Sequence, residues 1–259
     1  MTENTHDPYQ IPPEPTEAPP EILAASKPIW PTIAKFGVGI VISLLVASLF
    51  LPARRRVPES ARRTQCLNNL TNIGLALHNY QAVHGKLPPA YTVDADGNRL
   101  HSWRTLILPY LDRQDVFETI DLQKPWDHPA NAQAYNSTIR VYRCPSSWAP
   151  ANHTNYFALV GPDRCLMPTN GRSLSEIVDE FTVMVTEVPV ARACHWMEPT
   201  DVEGSFLDAL TSTNQLPHTA VTQVVFADGS ARAISIDMEA ADLEALTTIA
   251  GGEDVDSDF

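Results

Sequence analysis

The 259 residues hold 18 Lys and Arg against 31 Asp and Glu, a formal net charge of −13; such a chain repels phosphate backbones, which excludes nucleic acid as a partner class. With 44% hydrophobic and 19% charged residues, uniform disorder is excluded as well. The length admits one large domain or two small ones.

Residues 1–30 carry Pro8, Pro12, Pro13, Pro15, Pro19, Pro20 and Pro28 among Glu14, Glu17 and Glu21. A segment of this kind buries little apolar surface and is expected to be an extended, disordered tail. Residues 31–52 contain TIAKFGVGIVISLLVASLFL, from Thr32 to Leu51, charged only at Lys35 near one end. Roughly 20 apolar residues in a helix cross the hydrocarbon core of a bilayer, and globular helices seldom stay apolar all round for that length. A transmembrane helix is therefore expected at 31–52. The acidic leader before it argues against a cleaved signal peptide, which needs a short basic start.

Residues 53–85 read as an amphipathic stalk helix. Leu67, Leu70, Ile73, Leu77 and Tyr80 recur at steps of three and four, with Asn68, Asn69, Asn72 and Asn79 between them. Ser60 is the expected N-cap and Gly85 the expected stop, while Pro52 and Pro58 should bend or interrupt the path from the membrane segment. Arg54, Arg55, Arg56, Arg62 and Arg63 form a local basic cluster, either a solvated helix face or a surface set against lipid phosphates.

Residues 86–250 are expected to form an α+β domain. HSWRTLILPYL and RQDVFETI read as helical, and NAQAYNSTI as a further turn or two. NYFALV and TVMVTEV are rich in branched and aromatic residues and read as strands. Ser173 with Glu176 fits a capping box. VTQVVFADGSARAISI is two apolar runs around Asp228-Gly229, a hairpin signal. MEAADLEALTTIAGG reads as an acidic-started helix ended by glycine, and residues 251–259 as an acidic tail. In that tail Asp254, Asp256 and Asp258 mimic the start of a calcium loop but lack its glycine and closing glutamate. Helices and strands do not alternate regularly, which favours α+β over a doubly wound sheet.

Cys66, Cys144, Cys165 and Cys194 include no C-x-x-C pair, so neither a zinc site nor a redox motif is indicated by spacing. An even count suits two disulfides, with three connectivities open. The expected pair is Cys144 with Cys165, whose loop of about 20 residues gives a crosslink of about 3 kcal/mol in the chain-entropy model; Cys66 with Cys194 is then the remainder. Disulfides persist outside the cytosol, which makes the side of the membrane the central question.

The polar candidates each have a functional and a structural reading. His218, with Asp228 and Gly229, would serve as a metal or proton-transfer pair; alternatively Asp-Gly makes a tight turn and the imidazole bonds to backbone. His195, Trp196, Glu198 and Asp201, with Glu187 upstream, combine imidazole and carboxylate suited to a divalent cation, but no spacing fixes two ligands on one face. Ser102-Trp103-Arg104 and Pro125-Trp126-Asp127 would form a ledge for sugar or peptide, or else lock loops onto a sheet through a buried indole and an arginine–carboxylate pair. There is no G-x-S-x-G elbow, H-E-x-x-H, Walker loop or G-x-G-x-x-G, so no enzyme, metal or cofactor is expected.

Taken in order, the apolar segment, ARRTQCLNNLTNIGLALHNY, HGKLPPAY, HSWRTLILPYL, KPWDHPAN, YRCPS, TNYFALVGP, TVMVTEV, HWMEPTD and HTAVTQVVFADGS resemble the bacterial pilin-like family catalogued as domain of unknown function 1559. That family has an H-x9-D-G signature near its C-terminus, matched here by His218, Asp228 and Gly229. The resemblance spans Ala34 to Asp254. It implies a pilin-like architecture, a long N-terminal helix laid across a mostly antiparallel sheet, and an extracytoplasmic location, but no activity. One departure stands out: KFGVGIVISLLV lacks the Phe-Thr-Leu-Ile-Glu pattern beside a glycine, so prepilin-type processing is not expected and the segment should stay as a permanent anchor. The positive-inside rule points the other way, with Lys27 and Lys35 before the span and five arginines after it. Weighed against the cysteines and the resemblance, a single-pass protein of the cytoplasmic membrane with its main domain outside is expected. Its partners are then the lipid bilayer through residues 31–52 and envelope proteins or glycans, and its role is a structural or interaction module. The alternatives are an extracytoplasmic binding protein for a small ligand or glycan, with Trp103, Trp126 and Trp196 around a cleft, and a hydrolase using Glu187, His195 and His218.

Overall fold

A computed structural model describes residues 58–179, 181–211 and 216–252, with residues 30, 37, 40–43 and 46 upstream. The chain divides into two units, Met1–Arg55 and Arg56–Phe259, and the architecture below is that of the second. The tail 1–30, the acidic tail from residue 253 and most of the span 31–52 lie outside the described residues. Among the described residues, no helix is long and apolar enough to cross a membrane.

The first element of this unit is α1, Glu59–His84, a helix of 26 residues. Pro58, not Ser60, stands at its N-cap, in an extended conformation (φ −60°, ψ 152°). The proline ring presets φ for helix entry, so the helix starts at the next residue and Ser60 falls inside it. No side chain caps this end; the Pro58 carbonyl accepts from the Ala61 and Arg62 amides at 3.1 and 3.2 Å. The other end stops at Gly85, left-handed at φ 77°, with its amide on the Gln81 carbonyl. Cys66, Asn69, Leu70, Ile73, Gly74, Ala76 and Leu77 make the buried face.

Beyond α1 the elements are short. They run β1 (Tyr91–Val93), β2 (Arg99–Ser102), α2 (Trp103–Leu106), α3 (Gln114–Phe117), α4 (Ala132–Tyr135), β3 (His153–Thr154), β4 (Tyr156–Ala158), β5 (Val183–Glu187), β6 (Cys194–His195), α5 (Phe206–Thr211), β7 (Val221–Phe226), β8 (Ala231–Ser235) and α6 (Ala240–Ala245). The fold is α+β with antiparallel sheets. One sheet has four strands in the order β4-β5-β7-β8, and two ribbons pair β1 with β2 and β3 with β6. The helix expected over 101–111 breaks after α2, where Pro109 opens a separate 3-10 turn, Leu108–Leu111. The last helix is also shorter than its sequence pattern. The Leu246, Thr248 and Ile249 carbonyls are drawn off it by Val183, Thr182, Val178 and Asp179, leading into β5.

Both faces of the main sheet are covered. α1 lies across β7 and β8, and Leu70, Ile73 and Leu77 share one core cluster with Tyr156, Ala158, Val185 and Val225. On the opposite face Phe206, Ala209, Leu210, Leu243 and Leu246 from α5 and α6 pack with Phe157, Leu159, Val183, Val224 and Phe226. Double coverage is why NYFALV and TVMVTEV are continuous apolar runs rather than alternating ones. α1 approaches the sheet tightly at Gly74, where an added Cβ would stand 2.7 Å from the Gly229 carbonyl oxygen and 2.9 Å from Val225 Cγ1.

The cysteines correct the expected connectivity. Cys66 and Cys144 form the disulfide, with Cα atoms 5.3 Å apart, while Cys165 and Cys194 are buried free thiols. Loop length favoured the Cys144–Cys165 pair, but packing decides proximity. The first turns of α1 bring Cys66 to the segment after the Arg140–Tyr142 turn, whereas Cys165, in the same core cluster, turns its thiol to the Thr182 carbonyl at 4.0 Å.

Candidate functional site

The disulfide lies where four distant parts of the chain converge: the start of α1, the segment after Tyr142, the end of β5 and the loop before β7. Cys66 Sγ is 3.7 Å from Glu187 Oε1, and Cys144 Sγ is 3.4 Å from His218 Nε2. His218 Nε2 is also 3.7 Å from Glu187 Oε2. On its other side, His218 Nδ1 is 2.5 Å from Glu59 Oε1. Glu59 accepts further bonds from Arg62 and Ser146 through its other oxygen. Around Glu187, Asn155 Nδ2 donates to Oε1 at 3.2 Å, and Oε2 has no hydrogen-bond partner although the side chain is wholly buried.

These contacts set the protonation states. Burial pushes Glu187 up to about 8, opposed by the Asn155 hydrogen bond and reinforced by the charge of Glu59, so the carboxyl is largely protonated at neutral pH. Burial lowers the His218 imidazole, against the pull of Glu59. Glu59 itself is held below the ordinary range: burial opposes this, and the hydrogen bonds and charges of His218 and Arg62 outweigh it. A carboxylate beside Nδ1 keeps that nitrogen as the donor, which leaves the Nε2 lone pair facing Cys144 and Glu187. His218 borders a cavity of about 270 Å³ lined also by Leu210, Leu216, Thr219 and Ile236.

The sequence candidates divide cleanly. Glu187 and His218 meet; His195 does not join them. Its Nε2 bonds to the Tyr135 carbonyl at 2.9 Å, its Nδ1 accepts from the Met197 amide at 3.2 Å, and its ring stacks on Tyr135 and Trp126. Asp228 does not meet His218 either. β7 runs between them, and Asp228 Oδ1 accepts from the Ser230 amide in a turn where Gly229 has φ 83°. Trp103 and Trp196 are buried, each indole bonded inward, to Asp201 Oδ1 and to the Ser137 carbonyl, so they form no open ledge. Arg104 is wholly buried against Asp201 at 2.9 Å.

Glu59 was absent from the sequence candidates. It stands 159 positions from His218, and its only local signal was an acidic residue at a helix start, which the helix dipole alone accounts for. In chemical terms the oxidised site is a buried crosslink flanked by a neutral acid and a neutral imidazole. Among the sequence candidates, Glu187 Oε2 and Asp201 Oδ2 are buried without a hydrogen-bond partner, whereas His195, Trp103 and Trp196 are bonded to protein.

Residues 55–176 match the family model described as protein of unknown function (DUF1559). No curated protein and no solved structure matches the chain.

Proposed function

With a chain that belongs to the DUF1559 family as the starting point, we propose that it is a pilin-like structural and interaction module of the bacterial cell envelope, held on its apolar segment 31–52 with the folded body on the oxidising side. The observation that carries this reading is the buried Cys66–Cys144 disulfide. It staples α1, the element that follows the apolar segment, to the body it carries. Disulfides persist where the surroundings are oxidising, and a crosslink at the base of the stalk resists a pull transmitted along the chain. Contact with envelope proteins or glycans is the expected work of such a module, since His195, Trp103 and Trp196 are engaged in holding loops.

The test is orientation and redox state together. Fusions at the C-terminus to a phosphatase active only outside the cytosol, and to a fluorescent protein that matures only inside it, should give phosphatase activity and no fluorescence. A non-reducing peptide map of the membrane fraction should show Cys66 joined to Cys144. Fluorescence without phosphatase activity, or four free thiols in the map, would overturn the reading.

A further inference from the structure

Reduction of the Cys66–Cys144 bond leaves two sulfurs beside an imidazole nitrogen and a carboxylate. One donor atom from each of Cys66, Cys144, Glu187 and His218 lies within 4.8 Å of the others, and all four residues are buried. We propose that in the dithiol state these four residues are a tetrahedral site for a divalent transition metal of the zinc class, with Glu59 as the residue that positions His218. The proposal is independent of the envelope reading above, because it concerns the dithiol whichever compartment the body occupies.

Geometry is the first support. Metal–ligand bonds of about 2.0 Å to nitrogen or oxygen and about 2.3 Å to sulfur give tetrahedral edges of about 3.3–3.8 Å. The His218–Cys144, His218–Glu187 and Cys66–Glu187 separations are 3.4, 3.7 and 3.7 Å. The two Glu187 edges run to Oε2 and Oε1 respectively, the Cys66–His218 and Cys144–Glu187 edges are within 4.8 Å, and the sulfur–sulfur edge, which has to open, is released by reduction. Two sulfurs, one imidazole and one carboxylate also match the donor preferences of zinc.

A second, independent observation is the unpartnered Glu187 Oε2, wholly buried and aimed at the cluster. Leaving such an atom without a partner is costly, and a dication supplies the missing partner. A third is the carboxylate behind the imidazole. Metal-bound histidines regularly give their other ring N–H to a carboxylate, which fixes the ring and its tautomer, and Glu59 does this at 2.5 Å. Spacing rules missed the site because its ligands come one each from four separate segments rather than in close pairs.

A dithiol reductant passes two electrons and two protons to the disulfide and becomes a disulfide itself, leaving Cys66 and Cys144 as thiols; a newly made chain has those thiols already. The metal dication then binds both sulfurs and Glu187, releasing the two thiol protons and the carboxyl proton to solvent.

The experiment uses the full chain in detergent, reduced with a phosphine and titrated with Co²⁺, with circular dichroism recorded alongside. One equivalent should give the intense visible bands of tetrahedral cobalt and a thiolate-to-metal band in the near ultraviolet, both abolished by Zn²⁺. The disulfide form should give neither. Cys66→Ser and His218→Ala should lose or transform the spectrum, whereas Glu59→Gln should keep it with affinity weakened about 10–100-fold. A reduced chain that unfolds and is refolded by the metal also supports the site. Absence of these bands from the reduced chain, folded or not, overturns it, as does a spectrum unchanged in Cys66→Ser and His218→Ala.

Discussion

Arg104 is the most heavily bonded cation described. It donates to Asp201 and to the carbonyls of Tyr156, Trp196, Glu198 and Thr200, tying the loop after β6 to β4 and α2. Breaking one side of a buried ion pair typically costs about 3–5 kcal/mol, because the other charge is left uncompensated. Asp201→Asn should therefore lower the urea midpoint by that equivalent. Arg104→Lys should do nearly as much, since an ammonium does not reproduce the guanidinium fork; a shift below about 1 kcal/mol in both would reject this role. His195 gives the pH dependence. Burial lowers its pKa below the ordinary 6.5, against the hydrogen bond to Tyr135 and aided by the neighbouring His153, and protonation at Nδ1 would break the Met197 bond. Between the folded pKa and 6.5 the unfolded chain binds the extra proton, so this share of stability is present above about pH 6.5 and lost as pH falls below it. In urea titrations the stability gap between the native chain and His195→Gln should be widest near pH 8 and narrow by about pH 5. A gap that widens toward acid would contradict the assignment.

Among the elements, α1 and β7 decide the architecture. The two ends of the His218 to Gly229 stretch both grip α1. His218 holds Glu59 at the helix start, and the Asp-Gly turn meets Gly74 and His78, whose Nε2 bonds to the Ala227 carbonyl at 2.9 Å. The nine-residue spacing is thus the length of a strand laid along the helix. Gly74→Ala would raise intrinsic helix propensity by about 1 kcal/mol, yet its Cβ would press on backbone and on Val225. Net destabilisation of about 1–3 kcal/mol is expected from such overpacking, read as a lower thermal midpoint; an equal or higher midpoint would show that the approach is not tight. The disulfide acts on the same pair of layers. Its sequence separation of 78 gives a stabilisation of roughly 4.5 kcal/mol in the chain-entropy model, larger than the short-loop pairing would have given.

On the scale of the whole molecule, two inferences of opposite sign compete. Five arginines after the apolar run favour a cytoplasmic body, while a buried crosslink favours an oxidising compartment. Charge bias acts on short flanking stretches and long domains translocate largely regardless of it, so the fusion pair is expected to report the outside. On the metal-site proposal, reduction in either compartment exchanges a covalent staple for a metal-ligating cluster at the junction of α1, β5 and the loop before β7.

Local pattern determined a good deal. Steps of three and four put Leu70, Ile73 and Leu77 on the buried face of α1, although Leu67 and Tyr80 are half-buried and Asn69, expected off that face, is buried; Gly85 set the helix end, Ser173 with Glu176 the capping box, and Asp228-Gly229 the hairpin. Each depends on interactions within a few residues, whose signals stand together in the chain. The lengths of α2 and α6, the pairing of Cys66 with Cys144, and the meeting of Glu59, Glu187 and His218 were decided only by the tertiary structure. Those partners are 31 to 159 positions apart, and nothing local distinguishes a cysteine or glutamate that will be buried beside another from one that will not. The packing of α1 onto the sheet chooses them, because it brings the helix start, the end of β5 and the loop before β7 to one point.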